Sequence, residues 1–155
     1  MLALVFEVAG ESYGVPASRV ISVVRRPRAR GVPGAPPWIA GVFRWGEAWV
    51  PLVDLSLLIA RTPCPDGAAS RVALVEYARG ERTRTLGLLA PGMTRVADLG
   101  RLQGAPGLSI AGQEFLGSIV ADEDLGVQML AIDRVLPPEI DALLFGGAAV
   151  LGGPS

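Results

Sequence analysis

The chain has no histidine, no lysine and no asparagine, and its single cysteine is Cys64. Without histidine, Ser-His-Asp and Cys-His nucleophile arrangements and imidazole acid–base catalysis are excluded. One cysteine leaves no ordinary zinc site and no internal disulfide, so nothing ties the chain to an oxidising compartment. No apolar run reaches the roughly 18 residues that a membrane-spanning helix needs. The opening Met1–Phe6 run lacks the basic flank of a signal peptide and is interrupted by Glu7. Gly10, Gly14 and Gly31 have neither the spacing nor the following helix of a phosphate-binding loop. These absences predict a soluble cytoplasmic protein that is not an enzyme, with no metal and no cofactor.

What is present is a core. Half of the 155 residues are hydrophobic, enough for one domain or for two small lobes sharing an interior. All 14 basic residues are arginine and the net charge is −1, which gives no overall attraction to nucleic acid or to an anionic membrane. Four arginines crowd into Arg25-Arg26-Pro27-Arg28-Ala29-Arg30. Such a run binds phosphate or an acidic partner, or is a solvated loop; its proline makes it stiff enough to dock a protein. The acidic run Asp122-Glu123-Asp124 reads as a solvated turn before it reads as a calcium site. Cys64, between two prolines, reads as an incidental exposed thiol.

The patterning is mostly β. Leu2–Val8 and Tyr13–Pro16 form a hairpin about Gly10-Glu11-Ser12, Ala17–Val20 makes one helical turn, and Val20–Val24 is β-branched and extended. The proline-rich 25–37 segment forms no ladder. Strands are expected at Arg71–Tyr77, Thr83–Leu89, Met93–Leu99, Phe115–Val120 and Val127–Ile132, with Ala90-Pro91-Gly92 as a break. Residues 62–69 form a linker, and Leu136–Phe145 closes as a short helix with proline in its first turn. Many short strands with Gly/Pro punctuation and no βαβ alternation indicate an all-β barrel or sandwich.

The most informative stretch is Pro36–Leu55, a strand, a tight turn and a second strand closed by Pro51. With Leu4-Val5-Phe6, Tyr13-Gly14-Val15, Val20 and Val23, it supplies the pieces Pro37-Trp38-Ile39-Ala40-Gly41-Val42 and Val50-Pro51-Leu52-Val53-Asp54-Leu55. Arg71–Val75, Leu86-Gly87-Leu88-Leu89 and Phe115-Leu116-Gly117 follow in order. In this set the chain resembles the CheW family of chemotaxis coupling proteins, from about Leu4 to about Leu136.

The resemblance implies two small SH3-like five-stranded β-barrels packed side by side over a shared core, with a short C-terminal helix. Residues 1–145 then form one CheW-like domain of two intertwined lobes, and 146–155 a flexible Gly/Ala-rich tail. It implies a non-enzymatic adaptor that binds the regulatory domain of a CheA-type histidine kinase and the cytoplasmic tip of a chemoreceptor. Association with a receptor array would run through those partners, without nucleic acid and without membrane insertion. Carried over by position, the binding residues are Val20, Ser22, Phe43, Arg44, Trp45 and Gly46, in a groove between the lobes. Trp38 is expected in the core, and one of Trp49 and Val50 faces outward. The other reading of the residues is a β-barrel binder of nucleic acid or another polyanion through Arg25–Arg30.

Two departures from the family pattern stand out. The turn that commonly reads Asn-Leu-Arg-Gly has Gly46-Glu47 in place of Arg-Gly, with Arg44 two positions earlier. The Val-Asp that commonly follows the returning strand is replaced by Ala90-Pro91. Both departures point to a divergent array, serving type IV pili or surface signalling instead of flagella.

Overall fold

A computed structural model of the protein describes residues 2–67, 69–93, 95–99, 114–120 and 126–146. The expected turn Asp122-Glu123-Asp124 and the tail 147–155 lie outside them. Among the described residues ten strands form two five-stranded sheets. The first sheet contains β1 (Leu2–Val8), β2 (Glu11–Pro16), β8 (Arg95–Asp98), β9 (Leu116–Val120) and β10 (Val127–Leu130), ordered β8-β1-β2-β10-β9. The second contains β3 (Val20–Arg25), β4 (Ile39–Trp45), β5 (Ala48–Asp54), β6 (Ser70–Arg79) and β7 (Arg82–Pro91), ordered β3-β6-β7-β5-β4. The all-β pair of lobes and the short C-terminal helix are therefore as expected. One lobe combines the beginning and end of the described chain; the other is its contiguous middle.

Three apolar clusters account for this architecture. Alternate residues of a strand point to opposite faces, and β1, β6 and β7 are buried on both. Ala3 and Val5 join Val120, Val127 and Met129 inside the first lobe. Val72, Leu74 and Leu89 join Phe43, Val50 and Leu52 inside the second. The intervening residues Leu4, Phe6, Ala73, Val75, Tyr77, Leu86 and Leu88 meet in a shared layer between the lobes, with Leu136 and Leu144. Two-sided burial explains why these strands read as unbroken apolar runs instead of alternating ones.

Several boundaries differ from the sequence reading. The first hairpin turns at Ala9-Gly10, with φ of 53° and 79°, because a two-residue type I′ turn needs positive φ at both central positions. Glu11 and Ser12 are already in β2. β5 runs through Pro51 to Asp54. Pro51 is tolerated because its cross-strand partner Val42 commits its own N–H and C=O to Arg30, at 2.8 Å each, on the other side of β4. Likewise β7 continues through Pro91, which lies past the last β5–β7 pair, Asp54↔Leu89; the break falls at Gly92, with φ 70°.

Two helices close the lobes. Asp54 caps α1 (Leu55–Ala60) by accepting the Leu57 N–H at 3.1 Å. Its second carboxylate oxygen accepts the Cys64 N–H at 3.0 Å. Helix α2 (Pro138–Phe145) starts on proline, as predicted, and its Asp141 is buried. The Tyr77 hydroxyl donates to Asp141 Oδ2 at 2.7 Å, and Arg79 donates to the Tyr77 oxygen and to the Leu136 carbonyl, both at 2.9 Å. Burial first, then the Asp141 bond and charge, push the Tyr77 phenol far above its ordinary pKa. Replacing Tyr77 with phenylalanine is expected to cost about 2 kcal/mol, since the bond is to a buried carboxylate. A urea melt measures it, and a change under about 0.5 kcal/mol contradicts it.

Arg19 and Asp133 add a tie between the lobes: the pair is bonded, and Asp133 also accepts the Ala78 N–H of β6 at 2.8 Å. Burial alone raises the Asp133 pKa; the hydrogen bonds from Arg19 and Ala78, with the arginine charge, outweigh it and hold the carboxyl below its usual value.

Candidate functional site

The β4–β5 hairpin is the expected recognition element, and its geometry follows from a two-residue turn. Trp45 pairs with Ala48, leaving Gly46 and Glu47 as the central residues. Gly46 has φ 63° and Glu47 is not in the left-handed region. Glycine at the first central position alone is the requirement of a type II′ turn. The departure from Arg-Gly thus has a backbone cause: the position that carries arginine elsewhere in the family must be glycine here.

Arg44 supplies the cation from the strand. It is the cross-strand partner of Trp49, so both project from one face. Its guanidinium carbon lies 6.0 Å from the Trp49 ring centroid, and its Nε donates to the Gly46 carbonyl at 3.3 Å. Trp45 falls on the opposite face. Trp45 and Trp49 are each 37% exposed, while Val50 is fully buried, as the strand alternation predicts.

The six expected binding residues separate into groups. Arg44, Trp45 and Gly46 lie together at the exposed hairpin tip. Phe43 does not present its side chain there: it is 3% exposed in the second-lobe cluster. A Cβ on Gly87 would stand 2.9 Å from its ring, so the glycine makes room for it. Val20 and Ser22 are half-buried on β3, at the opposite end of the strand order from β4, with no ladder joining the two strands. Val20 packs on the shared core. Trp38 also packs against that core. A cavity of about 560 Å³ lies where Trp38 and Leu58 face Phe115, Leu136 and Pro138, and none of the six residues lines it.

The sequence did not reveal that the arginine run and the hairpin form one site. The segment expected to form no ladder makes two pairings: Arg25 ends β3 opposite Arg71, and the Arg30 and Val42 backbones form an isolated antiparallel bridge. Gly41 permits it: at φ 141° its absent Cβ would stand 2.4 Å from the Arg30 carbonyl oxygen. Upstream, Arg26 pairs with Asp66 at 3.0 Å and donates to the Cys64 carbonyl at 3.3 Å. Between these anchors Pro27, Arg28, Ala29 and Arg30 form one wall of an open cleft of about 440 Å³, with Val42, Phe43, Arg44 and Trp49 as the other.

Cys64 corrects the sequence reading. It is 4% exposed inside the second-lobe cluster, not at the surface. Burial first, then the Asp54 charge, push its thiol pKa up, which disfavours the nucleophilic thiolate. Among the described residues no group of three His, Cys, Asp or Glu side chains is placed to hold a metal ion. No helix among them is long and apolar enough to cross a membrane.

The structure is thus a paired-lobe β fold with a packed shared layer and an exposed Arg–Trp hairpin. A family model, the CheW-like domain, matches residues 2–139. The chain belongs to the CheW-like domain family. Among solved structures it is similar to the scaffolding protein TtCheW from Thermoanaerobacter tengcongensis, with a TM-score of 0.71, 21% identity and 84% of each chain covered. No curated protein matches it.

Proposed function

We propose that this protein is a non-enzymatic adaptor of a chemosensory array, coupling a CheA-type histidine kinase to the cytoplasmic tip of a chemoreceptor. The observation that carries the reading is the hairpin tip, where Arg44, Trp45 and Trp49 are exposed on a rigid strand pair of a CheW-like fold. Tryptophan and arginine are the residues that most often anchor protein interfaces, and a receptor's helical hairpin meets such anchors with its apolar face. Trp45 and Arg44 are the receptor contacts in this reading, Gly46 shapes the turn, and Phe43 braces it from within. Val20 and Ser22 belong to a separate surface on β3.

Capture of kinase regulatory domain and receptor-tip fragments at tens of micromolar tests the coupling. Binding of neither rejects it. Trp45→Ala should weaken receptor-tip binding tenfold or more, about 1.4 kcal/mol, with kinase binding retained and the melting temperature within a few degrees. A collapse in melting temperature instead would place Trp45 in the fold and not at the interface.

A further inference from the structure

We propose that the cleft between the 27–30 segment and the β4–β5 hairpin is a preformed dock for an acidic peptide segment carrying an apolar side chain. The inference deepens the adaptor reading and rests on it for the protein that carries the segment. Its first support is charge. Arg28, Arg30 and Arg44 line the cleft, and among the described residues no acidic one does. Arg19, Arg26 and Arg79 each have a carboxylate within salt-bridge distance. Among the described residues, Arg28, Arg30 and Arg44 have none. Arg44 is held, among the described residues, by the Trp49 ring and the Gly46 carbonyl. Arg28 and Arg30 are exposed. Three arginines lining one recess call for carboxylates, which guanidinium groups bind through paired N–H donors.

The second support is preorganisation. A run of arginines on a free loop would lose backbone freedom on binding. Here the Arg26–Asp66 pair and the two Arg30–Val42 backbone bonds fix the segment on both sides of Arg28. Pro27 stiffens it between them. The guanidinium groups are thus carried on a wall already in place.

The third support selects the class of partner. The remaining lining is Pro27, Ala29, Val42, Phe43 and Trp49, an apolar floor that a phosphate backbone would not use. The chain's net charge of −1 supplies no wider field for a long polyanion. A volume of about 440 Å³ suits a few side chains.

Titration of the full chain with a capped Glu-Glu-Leu-Glu-Glu peptide, followed by tryptophan fluorescence and calorimetry, tests the proposal. The peptide should bind, and its all-Gln counterpart at least tenfold more weakly. The Arg28→Glu, Arg30→Glu double variant should lose tenfold or more in affinity while melting as the parent does, because the Arg30 anchor is backbone. The Arg28→Lys, Arg30→Lys variant should retain part of the binding. Equal binding of the Gln peptide, no effect of charge reversal, or no peptide binding overturns the proposal. Tighter binding of an oligouridylate than of the peptide overturns it in favour of a polyanion site. If the chain binds the peptide but captures neither kinase nor receptor, the adaptor reading falls and the dock stands. If it captures both and ignores the peptide, the reverse holds.

Discussion

Replacing Gly41 with alanine is expected to lower stability by about 3 kcal/mol and to free the arginine segment from β4. Two costs combine. At φ 141° an L-residue occupies backbone space open essentially to glycine, a strain of about 1–3 kcal/mol. The added methyl would also stand 2.4 Å from the Arg30 oxygen and 2.8 Å from its carbonyl carbon. Both are main-chain atoms, so no side-chain rotation relieves the contact, and the Arg30–Val42 bridge must open. Urea unfolding measures the stability, and limited trypsin digestion measures the release. Cleavage after Arg28 and Arg30 should accelerate in the variant under conditions where the parent is protected. Unchanged stability together with an unchanged digestion rate would contradict the tie.

Removing the Asp54 carboxylate should cost as much. One oxygen caps α1 and the other accepts the Cys64 N–H, and the residue is 2% exposed. Asp54→Ala therefore loses an N-cap, about 1 kcal/mol, and strands a buried amide donor, about 1–3 kcal/mol. The expected total is about 3 kcal/mol by urea unfolding. Asp54→Asn separates the two contributions. Its amide oxygen still accepts from Leu57, but its NH2 group meets the Cys64 N–H donor to donor. It should fall between the parent and the alanine variant. If asparagine proves as stable as aspartate, the Cys64 contact contributes nothing.

These two residues also show what was legible in the sequence. Gly41 and Asp54 both lie in stretches that carried the family resemblance, and the apolar runs of β1, β6 and β7 gave the strands. The number of lobes and the C-terminal helix followed. Misreadings came where a non-local contact overrode a local signal. Cys64 looks exposed between two prolines, yet the Asp54 oxygen draws its backbone inward and the second-lobe cluster closes over it. Pro51 looks like a strand end, yet Val42 is engaged elsewhere and asks nothing of it. Phe43 sits next to exposed residues in sequence, and only the room left by Gly87 reveals that its ring turns inward. The dock wall was least legible, because it depends on a backbone bridge between Arg30 and Val42 that no periodicity announces.

The strand orders also set a sequence of events during synthesis. The second lobe is continuous from β3 to β7, and every strand it pairs has been made once β7 is complete. The first lobe begins earlier but must wait: β2 pairs in parallel with β10, more than a hundred residues later. Until then β1 and β2 have only each other and, once it has been made, β8 beside β1. The lobe that is begun first is therefore the lobe that is completed last, because β9 and β10 are made only after the whole of the middle lobe.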